Sequence, residues 1–404
     1  MSSPAVATSA AAEGHAVEIT VRKSDLLKEL LQLQGAVERK TTMPILSNIL
    51  AEATPDGRLA LAATDLETGL QTSCAAKVKA SGACALPARK LLDYVKLLPE
   101  AELTIKRLEN HWVQLRCGRA NTRMVGMSRE NFPELPAFPA SGIVRLPSVP
   151  LRAMIQKTIF AISSEETRYT LNGALLVAKP SSLCLVATDG HRLAHVVQEQ
   201  LTIEGVATSS SGASPNGELK ALVPKKALAE LLGLLDAAEE GDTIEFGQDE
   251  TSLFFRLPIA GSESVRVLTA RKLTGQFPNY EAVLPKSHLH SVPLNRDEFQ
   301  RSIQRVAQFA DERSHAIRVR FEANKLVLAS SASDMGESNE ELDTTFAGEP
   351  LVIGFNANYL DEFLDAVAED EVVLEFKDDS SAGQFRPVSS NGLQYRYVVM
   401  PMRI

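Results

Sequence analysis

Hydrophobic and polar positions along the chain fall into one phrase that recurs three times: a short extended run, then an amphipathic helix. The phrase reads VEITVRKSDLLKELLQLQGAV from Val17, IVRLPSVPLRAMIQKTIFAI from Ile143 and HSVPLNRDEFQRSIQRVAQFA from His290. An apolar residue closes each extended run (Val21, Leu146, Leu294). Five positions later another opens the helix (Leu26, Leu151, Phe299). Apolar residues at helical spacing after that point line one face, the mark of a helix packed on a core.

A second trio follows the same plan inside each third: CALPARKLLDYVKLL from Cys84, ALVPKKALAELLGLL from Ala221 and LVIGFNANYLDEFLDAV from Leu351. The gap is again five, from Leu86 to Leu91, Val223 to Leu228 and Gly354 to Tyr359. Pro87 and Pro224 stand just before a helix, where a missing N–H costs nothing. A third trio lies between: PILSNILAEATPDGRLALAATD, YTLNGALLVAKPSSLCLVATD and HAIRVRFEANKLVLASSASD. Alternating apolar residues and turns such as Asp56-Gly57 predict strand, turn, strand in each. The first two end on the same Ala-Thr-Asp, at 63–65 and 187–189.

Three patterns in the same order, three times over, predict three similar α+β domains, each with two helices against antiparallel sheets. Polar, Pro- or Ser-containing stretches at 139–142 and 285–288 set the boundaries. The expected division is a disordered tail at 1–16, then domains at 17–141, 142–286 and 287–404. Each third closes on a related phrase: Phe132-Pro133, Phe277-Pro278 and Met400-Pro401. The Ser/Gly-rich stretch from Gly205 to 219 reads as a flexible linker.

Composition agrees with a globular chain of two or three domains: 404 residues, 44% hydrophobic and 23% charged. The four cysteines have no CxxC spacing, which fits a reducing compartment. No apolar run reaches the roughly 20 residues of a membrane span. The first sixteen residues lack a basic n-region and a continuous apolar core. A cytoplasmic protein is expected.

Motifs for chemistry are missing. There is no GxxxxGK[ST], HExxH, GxSxG or EF-hand loop. Seven scattered histidines have no ligand spacing, so neither a metal nor a cofactor is expected. Thr188-Asp189-Gly190-His191-Arg192 is the one tempting cluster. A hydrolase-like reading would use Asp189 and His191 as acid and base. The segment follows a strand and contains Gly, which favours a turn whose Asp accepts from nearby backbone N–H groups.

Charge is sorted by element. The six helical segments carry +4 and the remainder −13, within a net charge of −9. A mildly basic helical set on an acidic body suits contact with a polyanion's phosphates, which position without reading sequence. The candidates are Arg89, Lys90, Lys96, Arg152, Lys157, Lys225 and Lys226. No series of aromatic residues accompanies them, which argues against stacking on single strands.

Several longer phrases carry a resemblance: TTMPILSNIL from Thr41, LPARKLLDYVKLLP from Leu86, RYTLNGALL from Arg168, ATDGHRLA from Ala187, FPNYEAVLP from Phe277 and the terminal YVVMPMRI from Tyr397. From about Val17 to Ile404 the chain resembles the bacterial replicative sliding clamps, the beta subunits of DNA polymerase III. The resemblance implies a head-to-tail homodimeric ring with helices lining the hole and sheets outside. Such a ring encircles duplex DNA without reading its sequence and tethers the polymerase, with no catalytic group. Contact between first and third domains would close it, with the strand around 116–125 and the helix end at 308–312 as candidates. Lys40 stands where the family commonly has a DNA-touching Arg, and Arg89 matches a basic position. Tyr169 matches one Tyr of a DNA-contacting loop, while Thr170 departs from a second.

The resemblance also implies a cleft for short peptides of the polymerase catalytic subunit, the clamp loader and other clamp-binding proteins. Matching positions are Leu171, Thr188, Gly190, His191, Arg192, Leu193, Pro278 and Val283, with Asn356, Tyr359, Val398, Met400, Pro401, Met402 and Arg403. Methionine adapts to several partners. Arg192 or Arg403 is expected to take a polar end of the peptide.

Overall fold

The structure, a computed structural model, describes residues 17–38, 41–165, 167–206, 217–259, 261–332, 336–389 and 392–403. The 1–16 tail, most of the 205–219 linker and Lys40 lie outside the described residues. Six helices stand where the repeats predict them: α1 Lys23–Leu33, α2 Ala88–Leu97, α3 Ser148–Thr158, α4 Lys225–Leu234, α5 Arg296–Ala307 and α6 Ala357–Ala366. None is long and apolar enough to cross a membrane.

Chain contacts group the molecule into two units, one of 1–141 with 244–271 and one of 142–243 with 272–404. In the first unit α1 packs against α2. One sheet runs Lys77–Ala80, Glu18–Arg22, Glu102–Arg107, Trp112–Cys117, Ala120–Val125, so Ala120–Val125 is an edge. A second includes, in order, Thr243–Gln248, Ser252–Pro258, Val265–Arg271, Thr68–Ala75, Arg58–Thr64, Asn48–Thr54, Gly82–Pro87. In the second unit α3 packs against α4 and α5 against α6. Its larger sheet runs Leu219–Pro224, Gly173–Lys179, Ser182–Thr188, Arg192–Glu199, Leu393–Val399, Gly383–Pro387, Glu371–Phe376, His290–Asn295. Its smaller sheet runs Gly336–Asp343, Lys325–Ala332, Ala316–Glu322, Leu351–Asn356.

Local chemistry explains these elements. Asn295 and Asn356 cap α5 and α6, their side-chain oxygens accepting from the N–H groups of Glu298 and of Asn358 and Tyr359. In Ala316–Glu322, Ile317, Val319 and Phe321 are buried while Arg318 and Arg320 face out, the period-two pattern of a half-covered sheet.

The sheets cut across the expected domain boundaries. Strand Val265–Arg271 pairs with Thr68–Ala75, with Leu268 opposite Leu70. Strand Arg192–Glu199 pairs with Leu393–Val399, with Leu193 opposite Val398. Each repeat offers a sheet edge, and continuing the sheet across it satisfies the edge N–H and C=O groups.

Beside the first of these pairings lies a buried ion pair. Glu29 of α1 accepts from Arg266 at 2.9 and 2.7 Å and from the Thr72 hydroxyl at 2.5 Å. Both charges are more than nine-tenths buried. Arg266→Ala would leave the carboxylate unpaired and should cost about 3–5 kcal/mol in urea unfolding. A loss under about 1 kcal/mol, the size of a surface pair, would show that Glu29 reaches water.

Candidate partner-binding cleft and DNA-facing helices

The Thr188–Arg192 segment is a turn joining two strands of the larger sheet in the second unit. The Thr188 hydroxyl donates to the Arg192 carbonyl at 2.6 Å. Asp189 Oδ1 accepts from the backbone N–H groups of His191 and Arg192 at 2.9 and 3.0 Å. Gly190 has φ +91°, and a Cβ there would lie 2.9 Å from Arg168 Nη1, so both conformation and space favour glycine. The turn reading holds, and the aspartate is spent on holding the loop.

This turn receives the chain end. Met400 N–H donates to the His191 carbonyl at 2.9 Å, and Met402 N–H to the Gly354 carbonyl at 2.8 Å. The floor is apolar: Leu171, Val186, Leu193, Phe277 and Val398 are buried together, with Tyr280 and Leu284 packed against them. Met400 is 46% and Val283 45% exposed at the rim. Gly190, His191, Pro278 and Arg403 are exposed, while Tyr359, Pro401 and Met402 are half-buried. Asn356 caps α6 and donates to the Ser314 carbonyl at 3.1 Å. Leu171, Leu193 and Val398 thus share one buried floor, while Val283, Gly190, His191, Pro278, Met400 and Arg403 are exposed.

Arg192 is a correction. It is 8% exposed, and its guanidinium is committed to the protein's own acceptors. Nε donates to Asp189 Oδ2 at 3.0 Å, Nη2 to the Phe160 carbonyl at 2.8 Å, and Nη1 to Glu362. The guanidinium also lies 4.4 Å from the centre of the Tyr359 ring. It ties the turn to α6 and to the Phe160 carbonyl, while Arg403 is exposed. Glu362 and Tyr397, whose hydroxyl donates to the Tyr359 carbonyl at 2.8 Å, belong to the same set of contacts and were not anticipated. Glu362 stands three residues after Tyr359 in α6, so helical spacing was the available signal.

Two groups behind the floor are electrostatically quiet. Burial holds the His195 imidazole down at about 4, with Arg396 adding to the effect, so it is neutral at pH 7. Burial pushes the Cys184 thiol up to about 12. Among the described residues no cluster of His, Cys, Asp or Glu suits a metal.

The candidate DNA contacts separate into two sets. Arg89, Lys90 and Lys96 are exposed on α2, with Asp93 a distant 3.9 Å from Arg89. Lys226 and Tyr169 are also exposed. Arg152 is paired with Asp236 at 2.7 Å, and the Lys225 ammonium donates to the Ile162 carbonyl at 3.4 Å. Lys157 is withdrawn from the set. Its side chain is 12% exposed, 3.9 Å from Glu369, and donates to the Ala366 carbonyl at 3.3 Å. Burial pulls its ammonium below the usual lysine range, partly opposed by Glu369. Thr170 is half-buried, with its methyl packed over Gly275.

Threefold repetition of two helices on antiparallel sheet defines the DNA-clamp class of fold. Models for the N-terminal, central and C-terminal domains of the DNA polymerase III beta subunit match residues 17–136, 145–279 and 281–403. The chain belongs to this family, the bacterial sliding clamps. A beta sliding clamp of Synechococcus elongatus is 32% identical over 392 residues, spanning 96% of this chain and 100% of that one. One from Caulobacter vibrioides is 31% identical with the same coverage. A solved sliding clamp from Bartonella birtlesii, bound to griselimycin, superposes with a TM-score of 0.85 at 31% identity, covering 96% and 100% of the two chains. A griselimycin-bound clamp from Pseudomonas aeruginosa gives 0.84 at 29%, with the same coverage.

Proposed function

We propose that two copies of this chain close head to tail around duplex DNA and hold the replicative polymerase on it. The observation that carries the reading is the family match, which runs through all three repeats in order. The protein is a non-catalytic processivity factor in DNA replication. Retention comes from a closed chain path, so phosphate contacts need only be weak and sequence-independent. That agrees with a basic helical set on a chain of net charge −9. The DNA-facing side chains are Arg89, Lys90, Lys96, Lys226 and Tyr169; Arg152 and Lys225 would exchange the partners they have for phosphate. The setting is the cytoplasm.

Two edge strands suit closure of the ring. The hairpin containing Ala120–Val125 carries Arg116, Arg119 and Arg123 and no acidic residue. Edge strand Gly336–Asp343 carries Glu337, Glu340, Glu341 and Asp343 and no basic residue. Opposite charge on two open edges favours adding one to the other and disfavours self-pairing. Phe309, in the 308–312 stretch, is 36% exposed and within the third repeat. The cleft takes short peptides of the polymerase, the clamp loader and other clamp-binding proteins.

The test is retention on DNA of two shapes. The protein is loaded by a clamp loader, proven on a control clamp, onto nicked circular duplex; the isolated complex is then linearised. Release only after linearisation is expected. Equal retention on both forms would mean ordinary affinity and overturn encirclement.

A further inference from the structure

The turn that builds the cleft occurs a second time, in the first unit. Thr64 Oγ1 donates to the Thr68 carbonyl at 3.0 Å, as Thr188 does to Arg192. Asp65 Oδ1 accepts from the N–H groups of Glu67 and Thr68 at 2.9 and 2.6 Å, as Asp189 does from His191 and Arg192. Leu66 takes φ +78° where Gly190 takes +91°. A leucine held in that region is strained, so the surroundings impose the geometry.

The flanking elements correspond as well. Arg271 N–H donates to the Glu67 carbonyl at 2.8 Å, as Met400 N–H does to His191 at 2.9 Å. Thr269 lies opposite Gly69, as Val398 lies opposite Leu193. Leu46 N–H donates to the Met43 carbonyl at 3.0 Å, as Leu171 N–H does to Arg168 at 2.8 Å. Leu46 and Phe132 share a buried cluster, as Leu171 and Phe277 do.

What differs is the covering. Glycine stands at 69 in place of leucine, and Leu135 Cδ2 lies 2.9 Å from where a Gly69 Cβ would be. Directly paired residues of neighbouring strands show their side chains on one face, so Thr269 is on Leu135's side of the sheet. Thr269 is 6% exposed, and its hydroxyl has no hydrogen-bond partner among the described residues. Such groups are rare because each forfeits its hydration. Leu66 and Met43, 52% and 47% exposed, belong to the same two turns. Glu67 and Arg271, both well exposed, form a 3.3 Å ion pair at the positions of His191 and Met400; a surface pair of this kind exchanges easily.

We infer that the first unit holds a second copy of the peptide-docking cleft, closed by Leu135. Its ligand class is that of the open copy: a short extended peptide with an apolar anchor. The anchor takes the place of the leucine, and a polar group of the peptide pairs the Thr269 hydroxyl. Leu135 thereby sets the number of partner peptides each chain holds. The inference rests on the cleft reading above.

The test titrates the full-length dimer with the polymerase's clamp-binding peptide by calorimetry. The wild-type chain is expected to bind one peptide and Leu135→Ala two, the second more weakly. Leu135→Ser removes the same cover with a different side chain and should also give two, so the result does not depend on one variant folding. In Leu135→Ala lacking residues 400–404, one peptide should remain. A single peptide on both substituted chains, with cooperative thermal unfolding retained, and none on the truncated one would overturn the second cleft. No binding to the wild-type chain would instead overturn the cleft reading itself.

Discussion

Deleting residues 400–404 is expected to abolish binding of the polymerase's clamp-binding peptide while the dimer persists. Met400 forms part of the rim, and the backbone bonds of Met400 and Met402 tie this end to the His191 turn and to Gly354. Covering one methionine side chain is worth about 1.5–3 kcal/mol. Losing two, with Pro401 and the wall they anchor, should weaken the peptide by roughly a hundredfold or more. Fluorescence polarisation of the labelled peptide reads the affinity. Sedimentation reads the dimer, which should be unchanged because the edge strands Ala120–Val125 and Gly336–Asp343 are not touched. Unaltered peptide affinity would remove the cleft from this end of the chain.

Arg192→Ala should damage the same site from behind. The guanidinium joins the turn, through Asp189, to the Phe160 carbonyl and to Glu362 of α6. Removing one partner of a buried ion pair costs about 3–5 kcal/mol, and the low end applies because Glu362 is 46% exposed. Tyr359 would also lose the cation against its ring. The expected result is a lower urea midpoint together with weaker peptide binding. Arg192→Lys should rescue neither, since an ammonium cannot span three acceptors in a plane. A double-mutant cycle with Glu362→Gln measures how much of the loss passes through that pair. Full peptide affinity in Arg192→Ala would show that the wall does not need its organiser.

Much of the architecture was legible because helix and strand carry their periods locally. Six helices follow from apolar residues at helical spacing, and the hairpins from alternation between turn residues. The Asp189 turn was also legible, since an aspartate can satisfy N–H groups two and three residues on without help from elsewhere.

Pairing between repeats was a different matter. No local pattern says that Val265–Arg271 joins Thr68–Ala75, or that Leu393–Val399 joins Arg192–Glu199, because a strand's period fixes its faces and not its neighbour. Net charge likewise could not say which cations are free. Lys157 and Arg89 read alike as basic helical residues, yet one is half-buried beside Glu369 and the other is exposed. Arg192 and Arg403 both read as peptide contacts, and only packing made one a structural strut. Local patterns along the chain are enough for the repeats, their helices and strands, and the turns. Tertiary structure alone decided which edges join and which charges are spent, since each depends on residues far apart in the chain competing for the same space.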